Sequence, residues 1–367
     1  MNPQQILDTF SPSYARAREK FVQAARDRGL ALRSHVLPLP GAEGETLAMD
    51  VARDGDIDAR RLLVVISGVH GVEGFCGSAI QTGVLRAGLR PQRSDTAVLY
   101  VHAVNPYGFS HLRRATQENV DLNRNFVDFS APLPVNAGYG EIHEALLPAT
   151  WPPRAEDEAV LATYRDKHGA RGLQRAMALG QHSHADGLHY GGLGPAWSNS
   201  TFRAVLREHT AGVEQIASVD IHTGLGPSGH GERIFASFDP DPAVLERASR
   251  WWGALTSVTA GSSASIPLTG PIQTALHEEC PFARHLGICL EFGTHPMERV
   301  MNALRAEHWL QARGGDTPQA AAIRLALKEA FYPAAEDWKL AVWRQGQQAC
   351  EQALRGLQDD LPLPLAA

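Results

Sequence analysis

The chain has 367 residues, 44% of them hydrophobic and 20% charged, with a formal net charge of −6. That length and composition suit a globular protein with a sizeable core. The acidic balance, without any run of Lys and Arg, argues against a nucleic-acid or anionic-membrane surface.

The first residues, "MNPQQILDTFSPSYARAREKF", lack the basic-then-apolar order of a secretion signal. No apolar run approaches the roughly 20 residues that a membrane helix needs. Cys76, Cys280, Cys289 and Cys350 are widely spaced with no CxxC, as reduced thiols would be, so a cytoplasmic location is expected. In chain order, residues 11–29 predict an amphipathic helix, and "LALRSHVLPLP" with "ETLAMDVAR" predicts two strands around a Gly-rich turn. "RRLLVVISG" reads as a continuous apolar strand and "GSAIQTGVLRAGL" as the helix after it. "TAVLYVHAVNP" is a second buried strand, stopped by Asn105-Pro106.

Residues of about 130–215 are poorer in strand signal and include the Gly- and His-rich "GQHSHADGLHYGGLGPAWSN", which reads as an insertion or lid. "SVDIHTG" and "GICLEFGTH" return to the strand pattern, each ending in a polar residue and a glycine. Residues 317–357 read as helical. Apolar strands alternating with helices predict one α/β domain over 1–367, with a mixed, mostly parallel central sheet flanked by helices. In such folds the site lies beyond the carboxyl ends of the strands, where these polar residues fall.

Four segments carry the chemistry. In "GVHGVEG", His70 and Glu73 stand three apart in a tight turn, where both can reach one divalent cation; the bland alternative is a histidine at a helix start with a carboxylate near the dipole. His222, at the end of "SVDIHTG", is the best third ligand, with Asp220 on the same strand face to orient it. Glu291 lies inside an otherwise apolar strand, where an unpaired carboxylate is costly, which suits a general base. "RRATQENVDLNRNF" supplies Arg113, Arg114, Asn123 and Arg124, cations and an amide able to stabilise an oxyanion or clamp a carboxylate, although a single Arg is more often a surface ion-pair partner. A nucleotide-binding reading would want GxGxxG after the first strand, and the chain has GVHGVEG there. Cys76 has no base beside it and is read as a packing residue. His184 and His189 are the other histidines most worth following, with a second metal as the alternative they raise.

Taken together and in order, HGVEG, NPYGF…RR…VDLNRNF, DIHTG and LEFGT resemble the zinc carboxypeptidase-like superfamily over about residues 65–295. The resemblance implies one Zn²⁺ held by His70, Glu73 and His222, with Glu291 as catalytic base. It implies Arg114, with Arg113 as runner-up, polarising the scissile carbonyl, and Asn123 with Arg124 binding the substrate's carboxylate. The implied activity is hydrolysis of an amide beside a free carboxylate, a carboxypeptidase-type reaction. The "NP…RR…LNR" spacing resembles the aspartoacylase and succinylglutamate desuccinylase branch, which implies N-acyl amino acids as the alternative substrates to small peptides. A non-catalytic binding protein of the same fold would be expected to lack a ligand or the base, and all four are present. The superfamily's active-site tyrosine has no motif match; Tyr190 in the insertion is the candidate. The sequence leaves the oligomeric state open, a homo-oligomer included.

Overall fold

The computed structural model describes residues 1–239 and 241–359. The short α1 (Pro3–Leu7) precedes α2 (Tyr14–Asp27), which starts on a Ser13 cap and buries Tyr14, Ala17, Phe21, Ala24 and Ala25 along one stripe. A hairpin follows, β1 (Ala31–Pro40) and β2 (Thr46–Asp54). Then come β3 (Arg61–Ser67), α3 (Gly74–Arg86), β4 (Thr96–His102) and α4 (Pro106–Ser110). The next stretch holds helices only: α5 (Ala137–Leu146), α6 (Ala155–Ala178) and α7 (Trp197–His209). It is followed by β5 (Gln215–Gly224), β6 (Gly231–Phe235), α8 (Pro242–Trp252), α9 (Gln273–Glu279) and β7 (Arg284–Gly293). The last described helices are α10 (Met297–Ala312), α11 (Ala320–Phe331) and α12 (Glu336–Asp359).

The described strands form one seven-stranded sheet in the order β1-β2-β4-β3-β5-β7-β6. Its centre, β4-β3-β5-β7, is parallel; the flanking pairings of β1, β2 and β6 are antiparallel. The central strands are apolar because both faces are covered. Leu63, Val65, Val219, Ile221 and Ile288 face a core shared with α2, α3 and α12, whereas Leu62, Val64, Ile66 and Ile216 face a second core beneath α7 and α9. The outer strand β1 is largely exposed, and its pairing register slips between Leu37 and Pro40. Among the described residues no helix is long and apolar enough to cross a membrane.

Two features position the site. The four parallel strands end together, so residues leaving β3, β5 and β7 emerge at one rim. Successive residues of β5 alternate between the cores, which puts Asp220 and His222 on the second face with Ile216. Across the pairing, His222 is directly in register with Glu291.

Candidate active site

His70 stands three residues beyond β3, in a turn that needs its glycines. Gly68 has φ +65, and a Cβ there would lie 2.6 Å from that of Ala103; a Cβ on Gly71 would fall 2.0 Å from the carbonyl carbon of Gly108. That close approach brings a second loop against the first. Gly71 N donates to Arg114 O at 3.1 Å and Val72 N to Arg113 O at 2.8 Å, so the arginine pair is tied to the histidine turn by backbone. A single 3-10 turn, Gly71–Glu73, then turns Glu73 back beneath the imidazole.

His70, Glu73 and His222 converge, all buried, with one ligand atom from each lying within 4.8 Å of the others. The two Nδ1 atoms are 3.2 Å apart. Glu73 Oε1 is 2.9 Å from the first and Oε2 3.0 Å from the second. Separations of this size match the ~3.3 Å edge of a tetrahedron with ~2.0–2.1 Å bonds to Zn²⁺, and two imidazoles with a carboxylate are a common donor set for that ion. The outer nitrogens also meet carboxylates: His222 Nε2 is 2.8 Å from Asp220 Oδ2, and His70 Nε2 is 3.1 Å from Asp121 Oδ1. Rings that donate outward in this way turn an Nδ1 lone pair inward, the tautomer a metal needs. The donor set fits a single divalent ion.

Burial works against ionising Glu73, yet His70, His222 and Arg114 hold its carboxyl far below the usual range. Glu291 behaves oppositely. Burial first, then the neighbouring Glu73 charge, push it up to about 7, while its Oε1 accepts from Leu225 N at 2.9 Å. A carboxylate poised near neutrality can both take and return a proton.

The arginines separate into three roles. Arg114 reaches the centre: Nη1 donates to Glu73 Oε1 at 2.9 Å, Nε to Asp121 Oδ2 at 3.0 Å, and Nη2 lies 2.7 Å from His70 Nε2. Arg113, its neighbour in sequence, turns away into a buried pair with Glu307 at 2.6 Å and also donates to Thr116 O and Asn119 Oδ1. Arg124 is buried, with Nε and Nη2 on Ala178 O and Nη1 on Asn123 O, and that same Nη1 lies 3.7 Å from Asp121 Oδ1. Asn123 accepts from Ile272 N at 2.9 Å.

The sequence assigns no role to Asp121 or Gln273, and it raises His189 only as a ligand of a second metal; among the described residues the one cluster able to hold a metal is His70, Glu73 and His222. Asp121 ties the site together, accepting also from Asn123 N and His189 Nδ1. Its position inside an apolar "VDL" was the available signal. His189 is buried, which lowers its pKa to about 3, so the neutral ring donates to Asp121 and leaves Nε2 without a partner. It lies in the His-rich run, but nothing local distinguishes it from His182 and His184. Gln273, from α9, donates to Asp220 Oδ2 at 2.9 Å. Tyr190 packs in the second core, and its carbonyl accepts from Asp121 N. Cys76 is buried, which raises its thiol pKa well above the ordinary value.

A family model described as "Protein of unknown function (DUF2817)" matches residues 10–345. No curated protein sequence matches. Among solved structures, bovine thrombin-activatable fibrinolysis inhibitor in complex with tick carboxypeptidase inhibitor superposes with a TM-score of 0.51 at 10% identity, covering 96% of this chain and 98% of that one. Carboxypeptidase A from Helicoverpa armigera gives 0.44 at 13% identity, with 92% and 73% covered. A metallo-carboxypeptidase from Pseudomonas aeruginosa gives 0.43 at 13%, with 93% and 68% covered. The mixed sheet and its flanking helices are those of the zinc carboxypeptidase-like fold.

Proposed function

The chain belongs to the DUF2817 family, and on that premise we propose that it is a metal-dependent hydrolase of amide bonds, with Zn²⁺ as the metal. The observation that carries the reading is the convergence of His70, Glu73 and His222, with Glu291 in register beside His222 on the neighbouring strand. When bound, the metal would supply Lewis acidity to the scissile carbonyl.

The protein's own groups do the rest. Glu291 is held by Leu225 N through one oxygen, which leaves the other to take the proton of the attacking water. As the carbon–nitrogen bond breaks, that proton passes to the departing amine, and the acyl group leaves as a carboxylate. His70 Nε2 cannot serve two masters: carrying a proton, it donates to Asp121 and is no longer an acceptor for Arg114. Arg114 Nη2 is then free to donate to the developing oxyanion, while Nη1 and Nε stay anchored on Glu73 and Asp121. Asp121 and Asp220 hold the two rings in place throughout. The cleavage of a C-terminal peptide bond and the deacylation of an N-acyl amino acid both use this chemistry; they differ in what flanks the amide.

Zinc-loaded protein should hydrolyse members of an acyl-peptide library, with products read by mass spectrometry. Removing the metal with a chelator should abolish turnover, and returning Zn²⁺ should restore it. Glu291→Gln should lower the rate by about 10²–10⁴-fold with metal content unchanged. Turnover within a few fold of wild type in that variant would sink the reading.

A further inference from the structure

The Arg113 side chain is buried, and its three nitrogens go to three separate parts of the chain. Nε donates to Glu307 Oε1 on α10 at 2.6 Å, Nη1 to Thr116 O at 3.1 Å and Nη2 to Asn119 Oδ1 at 2.8 Å. A planar guanidinium held at every nitrogen has a fixed direction. Glu307 is fully buried and Arg113 is only 4% exposed. Desolvation cancels most of what such a pair could add to stability, so its effect lies in geometry.

That geometry is passed on in two directions. Toward the metal centre, Arg113 O accepts from Val72 N, and Arg114 O accepts from Gly71 N and Asn105 Nδ2. Neighbouring Cα atoms are about 3.8 Å apart, so fixing the Arg113 side chain restricts how Arg114 leaves the same loop. Toward the insertion, the link runs through Asn119, whose φ of +64 is a left-handed conformation that asparagine tolerates. Its Oδ1 accepts from Arg113, and its Nδ2 donates to Ala185 O at 3.0 Å and Gly187 O at 3.1 Å. The insertion then returns to the centre. Tyr190 O accepts from Asp121 N at 2.8 Å, and His189 Nδ1 donates to Asp121 Oδ2 at 2.9 Å, the oxygen that also takes Arg114 Nε. The contacts close a ring from Arg114 through Arg113, Asn119 and residues 185–190 to Asp121 and back to Arg114.

We propose that Arg113 is a positioning residue. Braced by Glu307, it locks residues 185–190 of the insertion against the loop of Arg114, so that seating this segment and aiming the Arg114 guanidinium are coupled. This rests on the hydrolase reading above, in which Arg114 meets the oxyanion, and gives the insertion a part in assembling the site.

The test uses the zinc-loaded full chain and the best-cleaved member of the acyl-peptide library. Glu307→Gln and Asn119→Gly remove opposite ends of the link, and glycine keeps the left-handed backbone without strain. Each should lower kcat by about tenfold or more, with KM and Zn²⁺ affinity within about threefold of wild type. Because both act through Arg113, the double variant should be no more than about threefold below the slower single one. A kcat within about twofold of wild type in either single variant, losses that multiply in the double, or a loss accounted for by KM or metal affinity would overturn the proposal. A second measurement does not depend on turnover. Backbone amides of residues 187–191 should exchange with solvent about tenfold faster in both variants, while α2, packed on the first core, keeps its protection. Unchanged exchange at 187–191, or an equal rise over α2, would also overturn it. Should Glu307→Gln fail to fold, Asn119→Gly carries both measurements, and an unchanged kcat or unchanged exchange there is decisive against the proposal. If wild type cleaves no member of the library, the hydrolase reading fails, and the exchange result still decides whether Arg113 couples the insertion to the site.

Discussion

The imidazole of His222 sits between two carboxylates, Glu73 at Nδ1 and Asp220 at Nε2, and the second sets what the first can do. An anionic acceptor on the outer nitrogen raises the basicity of the inner one and fixes the ring's orientation. Asp220 is itself held by Gln273. Asp220→Asn should therefore weaken Zn²⁺ affinity by about 10–100-fold, read by competition with a chromophoric chelator; an unchanged affinity would remove Asp220 from the site. These strand-end residues were legible in the sequence because polar side chains in apolar runs stand out. The division of labour between Arg113 and Arg114 was not. They are adjacent in sequence and chemically identical, and the partner that removes Arg113, Glu307, is 194 positions away. The carbonyl that engages Arg124 is likewise a product of tertiary folding, 54 residues along.

At the scale of elements, α12 lies against α3 at a separation that only glycine permits. A Cβ on Gly346 would come within 2.6–2.9 Å of three Ile80 side-chain atoms, and one on Gly83 would meet Trp343 Nε1 at 2.0 Å. Gly346→Ala should destabilise the fold by about 1–3 kcal/mol through overpacking, measured by urea unfolding. Gly194→Ala, with nothing within 4 Å of its Cβ, is the control that should change little. A result equal for both would mean the helix pair can spread at no cost. The sequence pattern located the central strands and the long helices, since each is a sustained apolar run or a clear stripe. It did not disclose β6, whose "GERIF" is five residues long and half polar. The helical stretch at 317–357 is divided between α11 and α12, which Pro333 in the sequence accounts for.

For the molecule as a whole, the buried histidines tie stability to pH. His102 stacks on Phe21 with ring centroids 4.4 Å apart, and burial lowers its pKa from 6.5 to about 4. The unfolded chain takes up that proton near pH 6.5 and the native chain does not until about pH 4. Stability contributed by neutral His102 is thus complete above the upper value and lost as pH falls through the window between them. From about pH 7.5 to about pH 5 the loss is about 2 kcal/mol for this one group. His285, lowered to about 3 by burial, acts in the same direction. Glu291, raised to about 7, acts in the opposite direction, so the His102 contribution is read as a difference. The stability of the wild type in urea should decline relative to that of His102→Gln as pH falls over that range, and parallel profiles would exclude His102 as a source.

The outer strand has a bearing on how the protein behaves in crowded solution. β1 offers ten residues along an open flank of the sheet, long enough to template an incoming strand from a neighbouring molecule. Pro38 and Pro40 have no amide hydrogen to contribute, and the slip between Leu37 and Pro40 breaks the spacing that an added strand would have to follow. Runaway stacking of sheets therefore meets an interruption written into the border itself.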